Sequence, residues 1–122
     1  QLVIGAFTNI TALSNWLIAQ ESDVLLQCSG WKNKYNLEDT LFAGALTKTL
    51  RATGKFDNTS DSALASEYLY EVAKEDTHKF LRNSSHRRRL ANLNLKEDIK
   101  YCLTPDLSLV IPELKNGKLV KM

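Results

Sequence analysis

The fold is decided by residues 23–40, DVLLQCSGWKNKYNLEDT, where an apolar run leads into a polar loop and then into two adjacent carboxylates. The run Val24-Leu25-Leu26 predicts a short buried strand over 23–28, because it is too short and too apolar for a half-exposed helix. Asn36 is a good N-cap, so a helix is predicted to begin directly after the loop. The question is whether this is an ordinary strand-loop-helix connection or one wall of an active site.

The flanking sequence extends this unit in both directions. A strand and a helix precede the 23–28 strand within about thirty residues, which is typical of a βαβ unit with parallel pairing. Asn116-Gly117 is a strong hairpin signal near the end of the chain. The predicted elements are a strand over 2–6, a helix from a cap at Thr8, Asn9 or Thr11 to about 19, helices over 37–50, 60–72, 76–82, 85–93 and 96–103, and hairpin strands over 107–114 and 118–122.

These elements predict the α/β class, with a mixed sheet that has a βαβ start, a helical middle and a C-terminal β-hairpin. The 122 residues allow one domain with one core. The chain starts without Met and enters an apolar strand pattern at once, so we expect a fragment of a larger α/β protein, with a processed or tag-cleaved terminus as the alternative.

Composition excludes several function classes. The net charge of +2 gives no strong case for nucleic acid or a membrane surface. No apolar run approaches the length that crosses a bilayer. The two cysteines are too few for a disulfide framework. We therefore expect a cytoplasmic protein with reduced thiols and with neither a nucleic-acid nor a membrane partner.

Glu38 and Asp39 have two interpretations. In the first turn of a helix, both carboxylates are stabilised by the helix dipole, and Asp39 could complete a variant capping box with Asn36. Alternatively, they bind Mg²⁺, which takes oxygen ligands and often only one or two protein carboxylates. Loops after strand ends are where α/β proteins place such sites. The spacing alone leaves both interpretations open.

The two cysteines differ in their surroundings. Cys28 ends a strand before a glycine, which would suit an exposed nucleophile, but no activating base is evident in the sequence. A small buried hydrophobe is the alternative for Cys28. Cys102 lies within a helical apolar pattern and is predicted to be a core residue.

A basic segment, SSHRRRLANLN, spans residues 84–94. Ser84 or Ser85 can cap a helix whose first turn then carries positive charge, which opposes the helix dipole unless an acid or an anion offsets it. A phosphate or sulfonate would do so, and the alternative is a solvated basic face paired with Glu71 or Glu75. Near the start, Asn9 in "AFTN" either caps a helix or helps to hold an anion.

The order of these motifs resembles the C-terminal half of 2-phosphosulfolactate phosphatases, from the first residues of the chain to the last. The most specific parts of the likeness are "LEDTLFAGAL" and the preceding Cys-x-Gly. The resemblance implies Mg²⁺-dependent hydrolysis of 2-phospho-3-sulfolactate to sulfolactate and phosphate in coenzyme M biosynthesis. The stretches that carry it are "GAFTN", "CSGWKNKYNLEDTLFAGAL", "SDSAL", "SSHRRRL", "EDIKYC" and "VIPELKNGKLVKM".

The resemblance also implies roles for residues of this chain. It makes Glu38 and Asp39 metal-binding and catalytic residues, and Cys28 a further catalytic candidate as a nucleophile. Three positions depart from the family pattern: Ala6 stands for Ser, Ser29 for Ala and Arg87 for Gly. The substrate-binding residues that it implies are Phe7, Asn9, Ser29, Gly30, His86, Arg88 and Arg89.

Family members carry an N-terminal half that has no counterpart in this sequence. The resemblance therefore implies that the chain holds part of a site, that its partner is the missing half of the same protein, and that the isolated fragment is inactive. A fragment with exposed strand edges can also form homo-oligomers through them. The rival hypothesis is a non-catalytic domain with a decayed site that binds an anion or a partner. A weaker alternative is nucleic-acid binding through Arg87–Arg89, which requires an affinity that falls steeply with salt.

Overall fold

A computed structural model describes residues 1–91, 93 and 95–122 of the chain, with Ala91 described by its backbone alone. Helices dominate the described part, and a β-hairpin follows them. The helices are α1 (Ile10–Gln20), α2 (Leu37–Arg51), α3 (Asp61–Ala73), α4 (Thr77–Phe80), α5 (Ser85–Ala91) and α6 (Lys96–Cys102); 3₁₀ turns span Phe7–Asn9 and Leu81–Asn83; the strands are β1 (Pro112–Lys115) and β2 (Lys118–Lys121).

The two longest helices begin where the sequence predicts, because a side chain caps each N-terminus. The Asn36 Oδ1 atom accepts a hydrogen bond from the backbone N–H of Glu38 at 3.0 Å. The Ser60 hydroxyl does the same for the N–H of Ala63 at 3.2 Å. These caps confirm the predicted starts of α2 and α3.

The core lies around α2. Leu41, on one side of this helix, packs with the first hydrophobic cluster, and Leu46 and Leu50 pack with the second. On the side of α3, the backbone of α2 comes so close that a Cβ at Gly44 would lie 2.0 Å from the Ser66 carbonyl oxygen. The remaining buried members are Phe7, Ala45, Ala73 and Leu81 in the first cluster and Leu13, Leu17 and Ile111 in the second.

The C-terminal hairpin confirms the turn signal. β1 and β2 pair antiparallel from Pro112 opposite Lys121 to Lys115 opposite Lys118. Asn116 and Gly117 both have positive φ, 50° and 75°, as a tight two-residue hairpin turn requires. The first strand is shorter than the predicted 107–114 because the backbone N–H of Ser108 bonds to the Thr8 carbonyl instead of a strand, at 2.8 Å.

The α/β class is confirmed, but the predicted βαβ start is wrong in the described part of the chain. Residues 2–4 approach β1 in antiparallel register, with an isolated bridge between Val3 and Glu113. Residues 24–28 form no backbone hydrogen bond with any described residue, and Leu25 is 89% exposed. The segment has the alternation of a half-buried strand, with Val24 and Leu26 packed inward, yet it has no neighbouring strand in the described part of the chain.

The later helices also differ from the predictions. The predicted helix over 76–82 divides into α4 and a 3₁₀ turn. The helix predicted over 85–93 is described to Ala91, and residue 92 of that prediction lies outside the described residues. Cys102 is exposed, so its predicted core position is wrong, because the short α6 buries Ile99 alone. In the described part of the chain, no helix is both long and apolar enough to span a membrane.

Candidate anion and metal site

The loop before α2 turns tightly at residues 31–34. The N–H of Trp31 donates to the Lys34 carbonyl at 3.0 Å, and the N–H of Lys34 donates back at 2.9 Å. Lys32 and Asn33, at the centre of the turn, have φ values of 49° and 59°, which matches the mirror-image hairpin turn. Gly30 enters the turn with a φ of 67°, and a Cβ there would lie 2.7 Å from the Lys34 carbonyl oxygen.

Asp39 fastens this loop to the first turn of α2. Its Oδ2 atom accepts hydrogen bonds from the Gly30 N–H at 2.7 Å and from the Ser29 hydroxyl at 3.1 Å. The carboxylate therefore points to the loop and not back to Asn36, so the predicted variant capping box is wrong. The sequence-predicted residues Ser29, Gly30 and Asp39 are brought together at one place.

Glu38 faces the start of α5. Its Oε1 atom accepts a hydrogen bond from the Ser84 hydroxyl at 3.3 Å. Its Oε2 atom is buried and has no hydrogen-bond partner among the described residues. A buried carboxylate oxygen is costly without a donor or a cation, so this atom fits a metal ion better than the engaged Oδ2 of Asp39 does.

The donor set suits Mg²⁺ and not a metal held wholly by protein. Among residues 1–91, 93 and 95–122, no group of three or more His, Cys, Asp or Glu side chains lies close enough to hold a metal ion. Mg²⁺ keeps several waters and is commonly bound through one or two carboxylates together with substrate phosphate oxygens. Glu38 with its free oxygen meets that requirement.

The arginines of α5 point to different partners. Arg87 Nη1 lies 2.9 Å from His78 Nε2, and Arg88 Nη1 donates to the Asn83 carbonyl at 2.7 Å. Among the described contacts of these three arginines, it is Arg89 that reaches the loop, with its guanidinium carbon 4.5 Å from the centre of the Trp31 ring. No ion pair joins these arginines to Glu71 or Glu75 in the part of the chain that the structure describes.

Instead of those acids, Glu38 brings a carboxylate beside the basic first turn of α5. Ser84 caps α5 by accepting a hydrogen bond from the Arg87 N–H at 3.1 Å, and the same hydroxyl donates to Glu38. Glu71 is bound by Lys48 and Lys74. An acid or an anion is predicted to offset the positive charge in the first turn of α5. The carboxylate of Glu38, a residue of the site itself, supplies part of that offset.

Cys28 lies at the surface of this loop as a free thiol. Desolvation, and secondly the charge of nearby Asp39, raise the pKa of the Cys28 thiol above its usual value. A raised pKa lowers the thiolate fraction at neutral pH and disfavours a nucleophile. The catalytic role of Cys28 stays a prediction that this electrostatic setting does not support.

Phe7 and Asn9 have structural roles at the base of the fold. Phe7 is buried and packs edge-on against Phe42, with ring centres 5.6 Å apart. The Asn9 amide accepts from the Ala6 N–H at 2.9 Å and donates to the carbonyls of Ile4 and Val110 at 3.2 and 2.9 Å. These contacts occupy the Asn9 side chain, and a substrate-binding role for both residues stays a prediction.

An open groove of about 1600 Å³ extends from this site along α2 and α3. The extended segment 21–30 forms one wall, and the other includes Thr47 and Ser66. Cys28, Ser29 and Gly30 lie on the wall formed by the extended segment. The groove thus borders the loop that carries Ser29 and Gly30, while neither Glu38 nor Arg89 is among the described residues that line it.

Two residues of the site were missed by sequence reasoning. Ser84 was considered only as a cap, and its bond to Glu38 joins residues 46 positions apart, which no local pattern reveals. Trp31 has no role in the sequence predictions. The sequence feature that indicates a role for Trp31 is a large aromatic side chain in a polar, glycine-containing loop. In the structure this side chain is 48% exposed.

The described residues form an α/β protein in which the first turn of α2 contacts both the glycine loop, through Asp39, and the start of α5, through Glu38. The chain belongs to the 2-phosphosulpholactate phosphatase family, whose sequence model matches residues 1–117.

Three relatives, each described as a probable 2-phosphosulfolactate phosphatase, cover nearly all of the chain. The protein of Caldanaerobacter subterraneus subsp. tengcongensis is 32% identical over 96% of the chain and 48% of its own length. That of Thermotoga maritima is 35% identical over 96% of the chain and 49% of its own length. That of Synechocystis sp. is 36% identical over 93% of the chain and 48% of its own length. The chain thus spans about half the length of the curated relatives it matches.

Proposed function

We propose that the natural protein carrying this chain hydrolyses 2-phospho-3-sulfolactate to 3-sulfolactate and inorganic phosphate with Mg²⁺, as a cytoplasmic enzyme of coenzyme M biosynthesis. Family membership and the names of the relatives support the reaction. The observation that carries the proposal is the junction at α2, where Glu38 contacts Ser84 of the basic segment and Asp39 holds the glycine loop. The free thiols of Cys28 and Cys102 are compatible with a reducing compartment.

Glu38 would hold the metal through its unpartnered oxygen, with Asp39 beside it in the same helical turn. A bound Mg²⁺ would supply positive charge to the phosphoryl oxygens. The Ser84 hydroxyl orients the Glu38 carboxylate from the other side. Asp39 fixes the loop that carries Ser29 and Gly30, so these residues would shape the entrance for substrate.

The substrate class fits the positive groups of α5. A phosphorylated sulfonic acid carries phosphate, sulfonate and carboxylate groups, each of which accepts hydrogen bonds from guanidinium. Arg89 stacks on Trp31 of the loop, and its Nη2 atom lies 2.9 Å from His86 Nδ1. Arg88 is exposed and keeps further donors available for an anion.

The relatives contain as much chain again, and we propose that this other half supplies further residues to the site. Mg²⁺ that is bound by few protein ligands leaves room for such a contribution. The 122 residues alone are then expected to bind the anion weakly and to release no phosphate.

The decisive experiment measures phosphate release from 2-phospho-3-sulfolactate with and without Mg²⁺. It compares the natural gene product that carries this sequence, the 122-residue chain, and the Thermotoga maritima relative as a reference. Glu38→Gln in the gene product is expected to lower kcat at least about a hundredfold, because it removes a carboxylate charge at a metal site. Metal-independent turnover, or an undiminished Glu38→Gln variant, would refute the proposal.

A second candidate function is a non-catalytic anion-binding domain. The observations that favour it are the departures at Ser29 and Arg87 and the engagement of Asp39 Oδ2 by two loop donors. A gene product that binds Mg²⁺ and inorganic phosphate but releases none from the phosphoester would establish this function instead.

A further inference from the structure

We propose that Trp31 is a positioning residue that presents Arg89 to an anionic group of the substrate. The inference deepens the proposed function and rests on it for the substrate class, phosphate or sulfonate. It depends on three features of the structure: the stack of Arg89 on Trp31, the bond between Arg89 and His86, and the rigidity of the 30–34 turn.

The stack fixes the plane of the guanidinium. The Arg89 carbon lies 4.5 Å from the Trp31 ring centre, well within the range of a cation–π contact. Lys32 lies farther from the same ring, at 5.9 Å. Among Arg87, Arg88 and Arg89, only the last has an aromatic partner in the described residues.

A stacked guanidinium keeps its N–H edge available, because the ring covers a face and not the edge. One Nη2 donor of Arg89 is taken by His86 Nδ1 at 2.9 Å. Arginine has only donors, so Nδ1 of His86 must accept, and the neutral ring then carries its proton on Nε2. The other donors of Arg89 can bind two oxygens of one phosphate or sulfonate in a single plane.

The backbone of Trp31 is itself held in place. The paired backbone bonds between Trp31 and Lys34 close the turn, and the Gly30 N–H ties that turn to Asp39. A continuous series of contacts therefore runs from the acidic first turn of α2 through the loop to Arg89. Loss of the indole would leave Arg89 with its charge and with more rotational freedom, which weakens binding of the anion more than it alters turnover.

The test uses the same gene product as the phosphate-release assay. We measure Kd for inorganic phosphate by titration, following backbone amide signals of the site loop in ¹H–¹⁵N spectra of every variant, and then KM and kcat for the phosphoester. Trp31→Ala is expected to raise Kd and KM about two- to fivefold with kcat changed less than twofold, since a partly exposed cation–π contact has that magnitude. Trp31→Phe, followed through neighbouring backbone signals, is expected to restore most of the affinity.

Coupling to Arg89 separates positioning from a general effect on the loop. In an Arg89→Ala background, Trp31→Ala is expected to add little, because the group it positions is already absent. Tyr35→Ala removes another exposed aromatic of the same loop and is the matched control, expected to leave Kd and KM unchanged. Thermal melts establish that each variant is folded.

The outcomes separate the two proposals. Phosphate binding that depends on Trp31 without any turnover supports the inference and refutes the proposed function. Turnover with unchanged Kd and KM in Trp31→Ala, or a full Trp31→Ala effect in the Arg89→Ala background, overturns the inference and leaves the function standing. Absence of both phosphate binding and turnover overturns both.

Discussion

Gly30 has the strictest single-residue requirement in the site loop. Its φ of 67° disfavours any side chain, and an added Cβ would meet a backbone oxygen, Lys34 O, at 2.7 Å. Gly30→Ala is therefore expected to lower the free energy of unfolding by about 2 kcal/mol, from left-handed strain and a backbone clash together. Urea unfolding followed by circular dichroism measures this change.

Gly54 supplies the matched control for this prediction. It has a similar φ of 70°, but an added Cβ would meet nothing within 4 Å. Gly54→Ala should therefore show the left-handed strain alone, about 1 kcal/mol. Equal losses in the two variants would mean that Gly30 has no steric role and that the loop can move away from Lys34.

The thiol of Cys28 provides a titration test of the site's charge. Desolvation and Asp39 raise its pKa, so Asp39→Asn, which removes one of the two causes, is expected to lower that pKa. The thiolate fraction at a fixed pH just below 9 then rises, and so does the rate of alkylation by iodoacetamide. Peptide mass spectrometry at several pH values measures the rate at each cysteine.

Cys102 is the internal control because it is also a free, exposed thiol. Its alkylation rate should not respond to Asp39→Asn. An unchanged or slower rate at Cys28 would contradict the assigned electrostatics.

Cys28→Ala is also expected to retain near-normal turnover in the gene product, and a loss of activity would instead support the role of Cys28 as a nucleophile.

At the scale of elements, α2 joins the core to the site, and its contact with α3 sets its position. An alanine at Gly44 would place a Cβ 2.0 Å from the Ser66 carbonyl oxygen, which is backbone and cannot rotate away. Overpacking of this kind costs about 1–3 kcal/mol or more, whereas alanine's better helix propensity returns about 1 kcal/mol. We expect Gly44→Ala to lower the free energy of unfolding by about 2 kcal/mol in chemical denaturation.

Thr49→Ala, in the same helix but exposed, separates packing from propensity. It gains the helix preference of alanine without any close neighbour across the helix interface, so we expect a change within about 0.7 kcal/mol. A Gly44→Ala variant as stable as Thr49→Ala would show that α3 can shift at little cost.

Local signals explain which elements could be predicted. Asn36, Ser60 and Asn116-Gly117 act on backbone groups within three residues, so the starts of α2 and α3 and the hairpin turn follow from sequence. A strand is harder to predict than a capped helix because it needs a partner strand, and the local sequence does not indicate which segment provides it. Residues 24–28 have the correct apolar pattern and yet meet no neighbouring strand among the described residues.

At the scale of the whole molecule, some features of the site could likewise be predicted from the sequence and others could not. The resemblance and the residue types pointed to Glu38, Asp39 and the arginines, and the structure brings the α2 and α5 segments together. The sequence could not show that Ser84 bonds Glu38 or that Trp31 stacks on Arg89, because both contacts join distant segments. It also could not show that Asn9 ties the first turn to Val110, a contact across 101 positions.

The unpaired segment 24–28 leads to a prediction about the chain as a whole. It forms no backbone-to-backbone hydrogen bond with any described residue, and Leu25 adds an apolar side chain that is 89% exposed, so a second copy can pair with it edge to edge. We expect the 122-residue chain to self-associate with rising concentration, and Leu25→Lys to shift that association to higher concentration in analytical ultracentrifugation. Leu109→Lys, at an 85% exposed leucine elsewhere, is the matched control. If both lysines act alike, hydrophobic exposure in general drives the association; if only Leu25→Lys acts, the segment itself is the pairing edge.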